Sequence, residues 1–340
     1  MLSLKDVLIV SYSFTAALIG AGFASGNEIL SYFAVFGRAG VFGMVFFAVL
    51  CAAFLYAVFS VCRKYELHTF DEFLEHTHSP RIARAMRLFA LLFSFCVFSA
   101  MLSAIGEGLS AFGIPPGKGA LAAAVLCALL LVSGTDRALS FNGIIGLVLT
   151  ISVITCCLYI LRYREFHTSA QVLPMLGSAA EYGSYNLCSA IPALVVLSRR
   201  VKTKKDAAAA ALISSGAVLI MMLLMFCLLS IYYNRIPLGE LPMLTLAARQ
   251  NAVFAAIYCI IIIAASATTL IACGSSMTES VGRHGRAGAA VILSALGYFV
   301  SGFGFSGLVN TAYRICGIVG IPLMIYIFYM YVTTLKKTRF

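Results

Sequence analysis

The chain has 340 residues, of which 61% are hydrophobic and only 11% are charged, and its formal net charge at pH 7 is +11. Charged residues make up about a quarter of an ordinary soluble domain, so this composition excludes such a domain and indicates a lipid bilayer as the solvent. Apolar runs long enough to cross about 30 Å of hydrocarbon recur along the whole chain.

Ten such runs predict ten membrane spans. In chain order they extend over Val7 to Phe36, Val41 to Val61, Met86 to Phe112, Leu121 to Val132, Phe141 to Leu161, Ala179 to Leu197, Ala207 to Tyr232, Val253 to Cys273, Ala287 to Val300 and Val309 to Thr333. The fourth and ninth runs are shorter than the roughly 20 residues that a span usually needs. The first run is not expected to be a cleaved signal peptide, because Asp6 offsets the charge before it and the apolar pattern resumes at once.

Basic residues indicate how these spans are oriented. With ten spans and a cytoplasmic N-terminus, most of the 24 lysines and arginines lie on cytoplasmic segments, as the positive-inside rule requires. Both termini are therefore expected in the cytoplasm. Orientation alone accounts for the net charge, so no nucleic-acid partner is expected.

Sequence motifs disfavour an enzyme. The eleven cysteines lie mostly within spans, where a free cysteine behaves as a small apolar residue, so neither a disulfide framework nor a metal site is expected from them. The spans hold no histidine and no Ser/His/Asp constellation. The chain also lacks a G-x-x-x-x-G-K-[ST] phosphate-binding motif, so an ion gradient is the expected energy source for any transport.

Two halves of five spans each follow from the count. The chain is predicted to form a single membrane domain, residues 1–340, whose two halves are residues 7–162 and 178–334. Because each half has an odd number of spans, the second half has the inverted membrane topology. The first span of each half is interrupted. Span one carries "IGAGFASGNEIL" at its middle, and span six reads "AAEYGSYNLCSAIPALVVL". Glycine or proline interruptions at matching positions indicate the binding site of a transporter.

The interruption in span one predicts a mid-membrane helix start. Ser25-Gly26-Asn27-Glu28 fits the S-x-x-E capping box, so a helix is expected to restart near Asn27. Its N-terminus suits a carboxylate, and the carbonyls near Ile19 to Ala21 suit a cation. The candidate substrate-binding residues of this stretch are Gly20, Gly22, Phe23, Ala24, Ser25, Gly26, Asn27 and Glu28.

Two alternatives remain open for this stretch. Gly22-x-x-x-Gly26 is also a close-packing motif between membrane helices. Glu28 either serves only as the partner in the cap, or it contacts a substrate amine or a coupling proton, as acids within a membrane commonly do.

Three phrases, "GAGFASGNEI", "YNLCSAIPAL" and "GFGFSGLVNTAYRICGIVGI", resemble the YkvI-type family of bacterial membrane proteins. That family is similar to the amino acid/polyamine/organocation transporters and sodium symporters of the LeuT fold. The resemblance implies an all-α membrane protein of the bacterial cytoplasmic membrane, with ten helices in a 5+5 inverted repeat and broken helices one and six. It also implies that spans one, two, six and seven rock against a scaffold of spans three, four, eight and nine.

The same resemblance implies a sodium site. It would take the Ala265 carbonyl and the Thr268 and Thr269 hydroxyls from span eight, with Ala21 and Gly22 from span one. Oxygen ligands suit a hard cation, but such hydroxyls also commonly bond the carbonyl one turn earlier and do nothing else. Proton-coupled relatives place a lysine in span five, which here has no basic residue, so sodium is favoured.

Side chains outside span one complete the candidate site. Tyr182, Tyr185 and Asn186 lie near the expected break in span six, and Tyr185 and Asn186 are the expected ligands there. Ser99 is the candidate from span three, where it shares a helix face with Ser103 and Phe95.

Other acids and motifs are expected to be structural. Glu181 belongs to a predicted Ser178-x-x-Glu181 capping box, and Glu107 is expected to be solvated near the outer face. The G-x-G-x-x-G of residues 302–307 reads as a tight turn between spans. In "HTFDEFLEHTHSP", Thr69-x-x-Glu72 is expected to cap a short surface helix, in preference to a metal site of His68, His76 and His78. The segment "RIPLGELPMLTLAA" resembles an extracellular gate helix.

The sequence therefore predicts a secondary transporter that moves a small amino-acid-like or amine solute by alternating access, with sodium as the favoured coupling ion and no other cofactor. Its expected partners are this solute and the lipid bilayer. Alternatives are a proton-coupled transporter that uses Glu28, a receptor or sensor of the same fold that does not transport, and a channel.

Overall fold

The computed structural model describes residues 4–18, 20–76, 79–133, 154, 172–233, 235, 237–279 and 285–336. Within these ranges the chain is helical throughout and contains no strand, as the sequence predicts. The helices, in chain order, are α1 Leu4–Leu18, α2 Ala21–Ser25, α3 Asn27–Tyr32, α4 Ala39–Tyr65, α5 Phe70–Glu75, α6 Pro80–Ser110, α7 Pro116–Ser133, α8 Val172–Ser189, α9 Ile191–Ser198, α10 Lys204–Tyr232, α11 Pro242–Gln250, α12 Ala252–Glu279, α13 Arg286–Ser301, α14 Phe305–Leu308 and α15 Arg314–Lys336.

Local sequence explains several helix starts. Prolines stand at the first position of α6, α7 and α11, where a missing backbone N–H costs nothing. Thr203 and Asp206 form a capping box at the start of α10. Thr69 and Glu72 form another at the start of α5, which confirms the cap predicted for that surface helix.

Among the described residues, six helices are long and apolar enough to cross a membrane. They are α4, α6, α7, α10, α12 and the segment Phe305–Thr334, which comprises α14, a π-helical turn at Val309–Tyr313 and most of α15. The protein is thus a multi-pass membrane protein. α13 is apolar but shorter. Predicted spans one and six are each divided into shorter helices, and predicted span five lies outside the described residues apart from Ile154. The uninterrupted helices of the described residues therefore do not by themselves confirm the ten predicted membrane spans.

Large apolar side chains point outward from these long helices. Phe42 on α4 is 67% exposed, Leu129 on α7 is 63% exposed and Ile292 on α13 is 61% exposed. Such a surface would be unfavourable in water and is stable against lipid tails, which are as apolar as the side chains themselves.

The helices pack in two groups. α4 lies against α8, α9 and α10, and α10 also lies against α1. The second group consists of α6, α7, α12 and α13, which pack on one another. Contacts of α2 with α12 and of α6 with α8 join the two groups. The break in span one therefore lies where the two groups meet.

Predicted span six differs from the structure at its start and at its break. α8 begins at Val172 rather than Ala179, so Ser178 lies inside a helix and the predicted Ser178–Glu181 capping box is wrong. The Ser178 hydroxyl donates instead to the Tyr32 carbonyl at 2.9 Å. The helix is interrupted at Ala190, because Pro192 lacks the N–H that would bond back across that point. Tyr182, Tyr185 and Asn186 therefore project from regular helix rather than from unwound backbone.

The turn predicted from the glycines of residues 302–307 is present between α13 and α14. Gly304 has φ +78°, a left-handed conformation that favours glycine. The second half of the "RIPLGELPMLTLAA" segment, from Pro242 on, lies in α11, which packs on α12, α2 and α3, over the break in span one.

Candidate functional site

The break in span one is a short helix between two bends. α1 ends at Leu18, and Gly20 is extended with φ −82° and ψ −175°. One turn of helix, α2, follows, in which the Gly20 carbonyl accepts from the Ala24 N–H at 3.0 Å. Gly26 then adopts a left-handed conformation with φ +82°, and α3 starts at Asn27. The predicted restart at Asn27 is confirmed, whereas residues 21–25 are helical rather than unwound.

The capping box predicted for Ser25 and Glu28 is wrong. Gly26, not Ser25, is the N-cap of α3, and no side chain caps this helix. Ser25 bonds locally: its hydroxyl accepts from the Asn27 N–H at 3.1 Å and donates to the Gly22 carbonyl at 2.6 Å. The left-handed Gly26 shifts the helix start by one residue, so Glu28 stands at the second position of α3 and its carboxyl is free of the cap.

The Glu28 carboxyl turns back over α2. A Cβ atom built on Gly22 would collide with Glu28 Oε1, so the carboxyl lies directly against the Gly22 backbone. Glu28 is only 6% exposed. It faces the phenol groups of Tyr185 and Tyr182 on α8, although both hydroxyls lack a partner in hydrogen-bond geometry. The carboxyl is therefore buried in the middle of the bundle against backbone and aromatic rings.

Four buried tyrosines surround this carboxyl. The ring of Tyr32 lies 5.5 Å from that of Tyr182 and 5.7 Å from that of Tyr185, measured between centroids. The ring of Tyr185 is 5.4 Å from that of Tyr313 and 5.2 Å from that of Phe93. These separations are typical of favourable aromatic pairs. Helices α3, α6 and α8 and the π-helical turn Val309–Tyr313 thus meet in one aromatic cluster, which we call the tyrosine cluster.

A cavity of about 220 Å³ opens beside this cluster. Six of the predicted substrate-binding residues line it: Gly20, Gly22, Phe23, Glu28, Tyr185 and Asn186. The other lining residues are Ala17, Leu18, Phe93, Ser94, Val97, Met101, Ser189, Thr269, Cys273 and Tyr313. Of these, Tyr313 and Phe93 belong to the tyrosine cluster and were not predicted. No pattern in the sequence singles out either side chain, because each is one aromatic residue among many in apolar runs.

The other predicted substrate-binding residues lie outside the cavity lining. The Ala24 carbonyl accepts from the Tyr258 hydroxyl at 2.7 Å, and Ser25 bonds its own turn as described. Gly26 packs beneath Met243 of α11. Ser99 is fully buried, and its hydroxyl donates to the carbonyl one turn earlier, at Phe95.

Asn27 has a structural role that depends on distant segments. Its amide nitrogen donates to the Glu240 carbonyl at 3.0 Å and also to the Ser306 hydroxyl. The Ser306 N–H in turn donates to the Glu240 carboxylate at 2.6 Å. Span one, the loop before α11 and the start of α14 are tied together by these bonds, which we call the Asn27–Glu240–Ser306 link.

Three of the residues predicted for sodium binding, Ala265, Thr268 and Thr269, lie close together on α12, and the other two, Ala21 and Gly22, lie on α2. The Thr268 and Thr269 hydroxyls both donate to the Ala265 carbonyl, at 2.9 and 3.0 Å. This is the local bonding common to hydroxyls in membrane helices, and each hydroxyl oxygen keeps lone pairs for a further contact. Thr269 lines the cavity together with Gly20 and Gly22, and α2, which begins at Ala21, packs against α12.

One arginine lies near the cluster without pairing to Glu28. Arg314 donates to the Ser31 carbonyl at 3.1 Å, at the end of α3, and its guanidinium lies 5.3 Å from the centroid of the Tyr32 ring. A cation at a helix C-terminus is favourable, because the carbonyls there carry partial negative charge. The ion pairs among the described residues, Arg87–Asp71 and Arg200–Asp6, do not include Glu28.

The remaining predicted acids and histidines lie away from the cavity. Glu107 lines a second cavity of about 440 Å³ with Tyr298 and Gly304, and Glu181 is half-buried on α8. The His76 ring lies 3.9 Å from the Tyr65 ring between centroids and is tilted by 40° against it, and His78 is outside the described residues. Within the described part of the chain, no group of three His, Cys, Asp or Glu side chains is arranged to hold a metal ion.

Comparisons with known proteins agree with the fold. No protein-family profile matches the chain. It is 24% identical over 331 residues to the uncharacterized membrane protein YkvI of Bacillus subtilis (strain 168), with 93% of each chain covered. The resemblance to the YkvI-type family that the sequence predicts is thereby confirmed.

Solved structures share the architecture at low sequence identity. The structure of MhsT in complex with L-phenylalanine superposes with a TM-score of 0.66 at 14% identity, covering 93% of this chain and 88% of that one. A substrate-bound, outward-open Na⁺-coupled sialic acid symporter superposes with a TM-score of 0.62 at 15% identity, covering 95% of this chain and 78% of that one. Both are LeuT-fold transporters, so this chain is structurally similar to that fold.

Proposed function

We propose that this protein is a secondary active transporter that moves a small amino-acid-like or amine solute by alternating access. One observation carries the proposal: a cavity lies beside the broken span one, between the two helix groups, and is lined by a buried acid and by rings of an aromatic cluster. Transporters of inverted-repeat folds bind their solutes near the middle of the membrane, at discontinuous helices. In this proposal residues 7–162 and 178–334 are the two inverted repeats.

Alternating access requires one helix group to move relative to the other. The group of α1, α4, α8, α9 and α10 is the proposed moving bundle, and α6, α7, α12 and α13 are the proposed scaffold. Ser189 and Cys273 extend the cavity lining toward the end of the bundle where Asp6 pairs with Arg200. With the N-terminus in the cytoplasm, as the basic residues predict, the cavity extends inward, and α11 with the Asn27–Glu240–Ser306 link covers the outer side.

Sodium is the proposed coupling ion. Three oxygens on one turn of α12, from Ala265, Thr268 and Thr269, lie close together, and Thr269 faces the cavity beside Gly20 and Gly22. The sialic acid symporter of similar fold is Na⁺-coupled, which supports this ion without identifying it here. Proton coupling is the second candidate, and the burial of Glu28 at the cavity favours it.

Counterflow in proteoliposomes tests transport directly. Vesicles loaded with unlabelled amino acids and amines are diluted into each labelled solute, in sodium or in potassium buffer and with or without a pH gradient. Labelled solute should accumulate transiently above its equilibrium level, and accumulation should require sodium. A protein that binds solutes in detergent and never exchanges them in vesicles would be a receptor, and the transport proposal would be wrong.

Two isosteric variants test the ion site. Thr268→Val and Thr269→Val each remove a hydroxyl and keep the shape of the side chain, and each hydroxyl bonds the Ala265 carbonyl of its own helix. A bound ion stabilises the folded state by about 2.7 kcal/mol at 100 times its dissociation constant. The sodium-dependent rise in melting temperature should therefore disappear in both variants. Thr278→Val is the matched control, since Thr278 bonds its own helix outside the cavity lining; an equal loss in this control would refute the assignment.

A further inference from the structure

We propose that the solute this cavity accepts is a compact organic cation, an amine that carries no carboxylate. Its ammonium group would lie against the Glu28 carboxylate and its apolar part against the rings of the tyrosine cluster. The proposal deepens the proposed function and rests on it for transport, but binding tests it separately.

The charge of the cavity is the first argument. Glu28 is the acidic residue in the lining, and the lining contains no lysine, arginine or histidine among the described residues. Arg314 is held by the Ser31 carbonyl and the Tyr32 ring. Residues 141–161, of which the structure describes only Ile154, contain no basic residue either. An ionised carboxylate in the middle of a membrane is costly unless a cation accompanies it, so the cavity is suited to a ligand that brings the positive charge.

The position of the Glu28 carboxyl is the second argument. A zwitterionic solute needs a place for its own carboxylate, and the sequence suggested the helix starts in broken span one. Both helix starts are already occupied in the structure. The Glu28 side chain lies against Gly22 in the first turn of α2, and the Asn27 N–H at the start of α3 bonds the Ser25 hydroxyl. A second carboxylate there would meet a like charge at close range, which disfavours it. Glu28 thus takes the place of a ligand carboxylate.

The walls of the cavity are the third argument. Phe23, Phe93, Tyr185 and Tyr313 all line it, and aromatic faces attract ammonium groups through their quadrupoles. Tyr185 is only 1% exposed. Its hydroxyl faces Glu28 and has no partner in hydrogen-bond geometry. It can accept from an ammonium N–H. A hard metal ion beside Glu28 would instead require a shell of several oxygens, and the aromatic walls there do not supply one, whereas the oxygens proposed for sodium lie on α12.

The volume limits the size of this cation. At about 220 Å³ the cavity is smaller than the roughly 300–1,000 Å³ of pockets that take drug-sized ligands. Amines with a short branched or single-ring apolar part match the space and the apolar walls.

Matched pairs of ligands test the inference. Isobutylamine and valine, isoamylamine and leucine, and phenethylamine and phenylalanine differ only by a carboxylate. Each is titrated into the full-length protein in nanodiscs at pH 7.5 by calorimetry. At least one amine should bind, and each amine that binds should do so at least tenfold more tightly than its amino acid. An amino acid that binds as tightly as its amine, or more tightly, would overturn the inference, as would the absence of binding by all three amines.

Variants of the acid separate recognition from folding. Glu28→Gln should weaken amine binding at least tenfold, while Glu28→Asp keeps the charge and should retain part of the affinity. Glu107→Gln is the matched control, because Glu107 lines the other cavity, and it should leave binding unchanged. Size-exclusion profiles and melting temperatures measured without ligand show whether each variant is folded. The comparison of ligand pairs is made on the wild-type protein and therefore does not depend on the folding of any variant. Unchanged amine binding in a folded Glu28→Gln variant would overturn the inference.

Counterflow distinguishes this inference from the transport proposal. If vesicles exchange amino acids and not amines, the solute class is wrong and transport stands. If amines bind through Glu28 and no solute is exchanged, transport is wrong and the cation site stands.

Discussion

Gly26→Ala tests the geometry of the break in span one. Gly26 has φ +82° and ψ −7°, a left-handed conformation that costs a residue with a Cβ about 1–2 kcal/mol. The new Cβ would also lie 2.7 Å from Met243 Cγ and 3.3 Å from Leu229 Cδ1. Overpacking of this kind costs about 1–3 kcal/mol. The substitution should therefore destabilise the protein by about 2–5 kcal/mol.

The assay is the melting temperature of purified protein in detergent, with Gly20→Ala as the matched control. Gly20 lies in the same broken segment, but its φ of −82° suits any residue and nothing lies within 4 Å of a Cβ built there. The control should stay within about 0.5 kcal/mol of wild type. A double variant with Met243→Ala should recover the steric part of the loss and leave the conformational part, so the two effects should not add.

The result that refutes this reasoning is a Gly26→Ala protein that melts with the wild type or with the Gly20→Ala control. Either outcome would mean that Gly26 is not left-handed or that α11 does not pack on it. The position of Glu28, which follows from that turn, would then lose its basis.

Three further outcomes are expected. Gly22→Ala should displace the Glu28 carboxyl, lower the melting temperature by an amount corresponding to about 1–3 kcal/mol, and abolish amine binding in calorimetry; intact binding would contradict the contact. Asn27→Ala should cost about 1–3 kcal/mol, because it removes the amide from the link to α11 and α14, and accelerated hydrogen exchange in α11 would report it. The His68 and Thr69 N–H groups hold the pKa of Glu72 below its ordinary value. The cap on α5 is therefore fully formed above the ordinary pKa of 4.5 and is lost as pH falls through the lowered pKa. Amide exchange in α5 should rise in that acidic range and should rise already at neutral pH in Glu72→Ala, which removes the accepting oxygens.

The sequence predicted much of the candidate site and missed part of it for identifiable reasons. Glu28, Gly22 and Tyr185 were predicted because an acid, glycines and polar aromatic residues are unusual inside a span. Tyr313 and Phe93 were missed because each looks like any aromatic residue of an apolar run until α6, α8 and the π-helical turn meet. Asn27 was predicted as a ligand, and its amide instead bonds residues more than two hundred positions away.

The start of α3 shows how a helix start can be predicted correctly while its predicted cap is wrong. Ser25 and Glu28 have the spacing of a capping box, and Thr69 and Glu72 with the same spacing do form one. At Gly26, however, the chain adopts a left-handed turn under α11, and this moves the cap by one residue. The side chain of Glu28 is thereby released from the helix end and directed into the protein.

The sequence by itself determined that this protein is helical, that it lies in a membrane, and that its first span is broken beside an acid. These properties follow from composition and from the backbone preferences of glycine, which act within a few residues. The tertiary structure alone decided where the acid points and which aromatic rings surround it. Those contacts join helices from both halves of the chain, and no local pattern records the partner of a residue that is distant in sequence and near in space.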